Sequence, residues 1–134
     1  MITALIGLWL VPVVGYFLTR RTRPLWLWRI TGTCLGAIAS PALMGLYGLY
    51  FLGPLAALVG LVAFPLLMLH SWPGYDLAIA LRLVEPRTVV KGVQHLYVWS
   101  LDGLVWASVY GTLGFVADRL LQRRRIASHA KSAA

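Results

Sequence analysis

The sequence predicts an all-α integral membrane bundle of about four transmembrane helices, with a short interfacial helix before the last one. Three observations carry this expectation. Of 134 residues, 60% are hydrophobic and 12% charged, with a mean hydropathy of +0.78; soluble domains are roughly half apolar and a quarter charged. Residues 1–19 and 30–75 contain no Asp, Glu, Lys or Arg. The basic residues that give the net charge of +8 cluster beside these apolar runs. So much apolar surface cannot be buried in a 14.8 kDa globule, and it is equally foreign to a disordered chain. The length excludes a multi-domain enzyme.

The first element is expected over residues 2–18. As a helix it would rise about 25 Å, enough to cross with tilt or local thinning. The stretch lacks a basic leader and a small-residue cleavage site before Arg20, so it reads as a retained transmembrane helix. Residues 30–75 are too long for one crossing. A turn at Leu52-Gly53-Pro54 divides them, because Gly ends helices and Pro opens them. That gives helices over 26–51 and 55–70, with Pro41 and Pro65 as internal kinks. The run His70-Ser71-Trp72-Pro73-Gly74-Tyr75 reads as a stop at the interface. Leu77 to Val84 is too short to span and is expected to lie in the interface, ended by Pro86. A polar connector from Thr88 to Gln94 leads to the last helix, 96–117. Residues 1–119 thus form one transmembrane domain, and 120–134 a basic juxtamembrane tail.

The twelve Lys and Arg fall in three groups. Arg20, Arg21, Arg23 and Arg29 follow the first helix; Arg82, Arg87 and Lys91 lie in the third loop; Arg119, Arg123, Arg124, Arg125 and Lys131 occupy the tail. Arg20, Arg21, Arg23, Arg123, Arg124 and Arg125 are placed on lipid headgroups. Four aligned crossings put the first and third loops on one side and the tail on the other, seven basic residues against five. The basic residues border membrane spans and form no basic face on a soluble surface, so nucleic acid is not an expected partner.

Asp102 is the candidate proton or cation site. It lies six residues into the last helix, roughly 9 Å down from Leu96, where a carboxylate must face the bundle or a partner. A carrier could cycle a proton there. The competing reading is a structural carboxylate bonded to Tyr97, Ser100 or another chain, and no second intramembrane acid or base supports the carrier. Small residues recur every four positions: Gly32, Gly36 and Ser40 on helix two, Ala56 and Gly60 on helix three, and Gly103, Ala107 and Gly111 on helix four. Such stripes let helix backbones approach closely, within one bundle or between subunits.

His70 and His95 flank the third loop and are expected at the interface, bonded to water or backbone. Cys34 is the only cysteine and sits in an apolar run as a small hydrophobe. Ser71, Ser100 and Ser108 have no neighbouring base, and no Gly-x-Ser-x-Gly, Walker or His-Glu-x-x-His motif occurs. No catalytic residue, metal site or cofactor is therefore assigned. The function expected is that of a non-catalytic subunit, accessory or assembly factor of a membrane complex. The alternatives are a homo-oligomeric carrier or channel using Asp102, and a membrane-permeabilising stress protein. The expected partners are membrane lipid and another membrane protein or a second copy. A bacterial inner membrane is the expected location for so compact a chain.

Overall fold

The computed structural model describes residues 2–86 and 89–132, and within them all side chains except those of residues 2–6, 127 and 129–132. Arg87 and the first residue of the expected connector, Thr88, fall outside the described residues, as do the side chains of His129 and Lys131. Every regular element among the described residues is helical: α1 Ile2–Thr22, α2 Leu27–Gly48, α3 Pro54–Ala80 and α4 Gln94–Ser132. A 3-10 turn, Pro24–Trp26, leads into α2, and another, Leu49–Leu52, leaves it. Among the described residues, three stretches are long and apolar enough to cross a membrane: Pro24–Leu52, Pro54–Ala80 and Gln94–Ile126, of 29, 27 and 33 residues.

The chain turns between α2 and α3 at Gly53, whose φ of 141° excludes a side chain without strain. Pro54 then opens α3, where its missing N–H has no intrahelical partner to lose. α1 packs on α2, and Gly15 admits Cys34 at the contact: a Cβ on Gly15 would stand 3.1 Å from the thiol sulfur.

The principal seam joins α2 and α4, the most extensive helix pair. It is built on glycine. A Cβ on Gly32 would meet the Tyr110 carbonyl, one on Gly36 the Trp106 carbonyl, and one on Gly114 the Trp28 carbonyl. Gly103 lies against the backbone of Ala37, and Gly111 against the Thr33 hydroxyl. The small residues of the two stripes therefore face one another inside one chain. Of the others singled out, Gly60 lies under Tyr50, Ser40 is buried, and Ala56 and Ala107 are half-buried.

The structure corrects the expected end of helix three. α3 does not stop at His70; it continues through Pro73 and Gly74 to Ala80. The interfacial helix expected over 77–84 is not separate: Leu77 to Ala80 are the last turn of α3, and residues 81–84 close it. Arg82 adopts φ 59°. Its N–H donates to the Ile79 carbonyl at 2.9 Å and that of Leu83 to the Ala78 carbonyl at 2.8 Å. This is the paired 6→1 and 5→2 pattern that ends helices, with arginine where glycine is usual. Val84 is thereby folded back onto Ala78 and Val98, all three buried. Because a left-handed residue with a Cβ is strained, Arg82→Gly is expected to stabilise the fold by about 0.5–1 kcal/mol, read as a raised unfolding temperature in detergent.

The helix directions overturn the expected distribution of charge. α2 runs antiparallel to α4, with Trp28 beside Gly114 and Ala37 beside Gly103. α3 runs antiparallel to both: Tyr47 lies against Phe64 and Ser40 reaches His70 on one side, while Gly74 meets Asp102 and Ala78 meets Val98 on the other. Three aligned helices cannot all be mutually antiparallel. The pairings therefore require helices that cross at an angle or bend, and Pro41, Pro65 and Pro73, residues at which helices commonly kink, lie inside α2 and α3. As a result the first-loop arginines and the tail arginines lie at the same end of the molecule, not at opposite ends.

Candidate functional site: a buried polar cluster around Asp102

The extension of α3 through Pro73 creates the polar cluster. Proline has no N–H, and its ring opposes the carbonyl four residues back, so a helix crossing it needs other partners for its freed groups. Those partners come from α2 and α4. The Gly74 N–H, which in an uninterrupted helix belongs to the His70 carbonyl, donates to Asp102 Oδ1 at 2.6 Å. The His70 carbonyl accepts from Trp106 Nε1 at 2.7 Å and from the Ser40 hydroxyl at 3.3 Å. Gly74 is the only residue type that fits, since a Cβ there would enter the Asp102 carboxyl group.

Asp102 lies eight residues into α4, about 12 Å along its axis, and is 0% exposed. Its Oδ2 is buried without a hydrogen bond. The Ser40 hydroxyl adjoins the carboxyl group but is oriented to the His70 carbonyl. His70, expected at the interface, is instead buried sixteen residues into α3. It stands near Asp102, so the carboxylate does have a second titratable group beside it. Sequence spacing did not show this, because the stop signal at Pro73-Gly74 ended helix three before His70 could be placed in depth.

The His70 ring is held from three sides. Nδ1 lies 2.9 Å from the Leu66 carbonyl; a carbonyl only accepts, so Nδ1 carries the hydrogen. In the neutral ring Nε2 then accepts from the Tyr110 hydroxyl, 2.6 Å away. The ring lies against Trp106 with centroids 4.3 Å apart. His70 and Tyr110 form the polar edge of a cavity of about 250 Å³ whose other walls, including Trp9, Ile38, Ala42 and Leu66, are apolar. Asp102 is not on its walls.

A second carboxylate lies sixteen residues further along α4. Asp118, one residue past the end expected for helix four, is buried and caps α2 across the seam. Its Oδ1 accepts the Trp28 N–H at 3.1 Å and its Oδ2 the Arg29 N–H at 3.0 Å. α2 has no side-chain cap of its own, so Asp118 supplies both acceptors and an anion where the helix dipole favours one. Asp118→Ala is expected to cost about 1–2 kcal/mol and to speed hydrogen exchange at the Trp28 and Arg29 amides. Exchange unchanged at both would rule out the cap.

The remaining candidates stay apart from this cluster. His95 is half-buried near the start of α4, with Trp99 at 5.7 Å between ring centroids. Ser108 donates to the Leu104 carbonyl four residues back. Arg20, Arg21, Arg23, Arg123, Arg124 and Arg125 are all exposed. Among the described residues no group of three or more His, Cys, Asp or Glu could hold a metal. Comparison with protein-family models, with curated proteins and with solved structures finds no match.

Proposed function

We propose that this chain is a non-catalytic subunit or assembly factor of a membrane complex. The observation that carries the reading is the use to which Asp102 is put: the carboxylate of α4 is wholly buried and holds the Gly74 N–H at the break in α3. It serves the fold from within. The attachment of α1 fits the same reading, because among the described residues its backbone packs on α2 and on the turn that precedes it, Trp9 faces α3 and α4 across the cavity beside His70, and large apolar side chains of α3 such as Leu58, Leu61 and Val62 stay exposed. The location proposed with it is a bacterial inner membrane, entered by α1 as well as by the three longer helices. The end that gathers Arg20 to Arg29 with Arg119 to Arg125 would face the cytoplasm, as the positive-inside rule favours.

The test is purification of the tagged protein at native expression in mild detergent, with the native mass of what accompanies it. A stoichiometric different chain is the expected result. A self-associated species alone would overturn the reading in favour of the second one. That second reading is a homo-oligomeric carrier or channel using Asp102, and it is supported by the unbonded Oδ2 beside His70. It requires that proteoliposomes conduct protons and that Asp102→Asn abolish conduction while the fold persists; equal conduction in the variant ends it.

A further inference from the structure

We propose that the arginine-rich end of the α2–α4 seam is a built seat for one anionic phospholipid. Its headgroup lies against Arg29 and Arg119, and one acyl chain runs down the groove between the two helices. This requires only that α2 and α4 cross the membrane, and it does not depend on the subunit reading.

The headgroup part rests on an alternating stack of cations and rings. The guanidinium of Arg23 lies 5.5 Å from the Trp26 ring, and that of Arg29 lies 4.9 Å from Trp26 and 4.3 Å from Phe115. Arg119 covers the same Phe115 at 5.1 Å. Ring faces draw cations electrostatically, and here they hold three of them within one small volume. The carboxylate in that volume is Asp118, and both its oxygens already accept backbone N–H groups of α2. The charge there remains strongly positive, and Arg29 Nε is buried without a hydrogen-bond partner. A cavity of about 290 Å³ opens at this point, bounded by Arg29, Arg119, Gln122 and Phe115, with the capping Asp118 also on its wall.

The chain part rests on continuity. Arg29 and Phe115 also border a second, open cavity of about 590 Å³, which continues along the seam past Thr33, Gly111 and Ala107 to Leu104. From Phe115 to Leu104 is about 16 Å along α4, the length of much of an acyl chain. The hydroxyls on this path donate to their own helices: Thr33 to the Arg29 carbonyl, Ser108 to that of Leu104 and Thr112 to that of Ser108. Below Arg29 the groove therefore presents mainly apolar surface, and none of these hydroxyls has its hydrogen free. Inside a bilayer such a groove takes a lipid tail, and the arginines above it select an anionic head, as basic pockets between transmembrane helices do.

The experiment measures the unfolding temperature of the delipidated full chain in detergent with three additions. Phosphatidylglycerol is expected to raise it by about 4 °C or more. Phosphatidylcholine of the same chains, and soluble glycerol phosphate, are expected to leave it unchanged. Arg119→Gln and Ser108→Phe, the one removing charge and the other filling the groove, should each lose most of that shift. Arg123→Gln, which removes an exposed arginine outside the seat, should keep it. Equal stabilisation by the two phospholipids, the same shift with glycerol phosphate, no shift at all, or an equal loss in Arg123→Gln would each overturn the proposal.

Discussion

Gly36→Ala is expected to lower stability by about 2–3 kcal/mol, although alanine favours a helix by about 1 kcal/mol over glycine. The added methyl group would run into the Trp106 carbonyl. That neighbour is backbone inside a continuous helix and cannot rotate away, so α2 and α4 must separate along the seam. Separation weakens every other close approach on it, at Gly32, Gly103, Gly111 and Gly114. Gly36→Leu is expected to yield no folded protein. Gly7→Ala is the control: among the described residues nothing lies within 4 Å of the new methyl group, and the variant should match or exceed the parent chain. Denaturation in detergent micelles measures all three. Equal stability of Gly36→Ala and the parent would mean that the helices are not packed at this distance.

Asp102→Ala is expected to cost about 2–3 kcal/mol, because it leaves the Gly74 N–H buried without an acceptor. Asp102→Asn keeps an oxygen in the place of Oδ1 and should cost no more than about 1 kcal/mol. The difference between these variants separates a capping role from a need for charge. If both fall equally, the fold depends on the negative charge of the cluster itself. If only the alanine variant falls, the carboxyl group acts as a hydrogen-bond acceptor at the bend in α3.

The membrane class of this chain is legible in its sequence, because apolar runs without charge have one stable use. The positions of the helices and the small-residue stripes follow from the same runs, since backbone groups in lipid must be satisfied within a helix. The end of α3 is not legible there. Pro73 and Gly74 are local stop signals, and they are overruled by Asp102, Ser40 and Trp106, which lie 28 or more residues away. Once that helix is ended too early, His70 is placed at the surface and the neighbourhood of Asp102 loses its second titratable group. The role of Asp118 is hidden for a similar reason. An acid at a helix exit looks like a boundary marker, and nothing in its own surroundings points to a helix start 90 residues earlier.

That distance also sets an order of events during synthesis. α2 enters the membrane with its first N–H groups unmet, and the carboxylate that meets them is made 90 residues later. At ribosomal rates this is a delay of roughly 5–20 s. Throughout it, the glycine face of α2 has only α1 and the emerging α3 to lean on. The last helix is thus the one that closes the molecule. A chain interrupted before Asp118 would retain most of its apolar length but not the lock on its second helix, and it would be exposed to whatever surveys unfinished proteins in the bilayer.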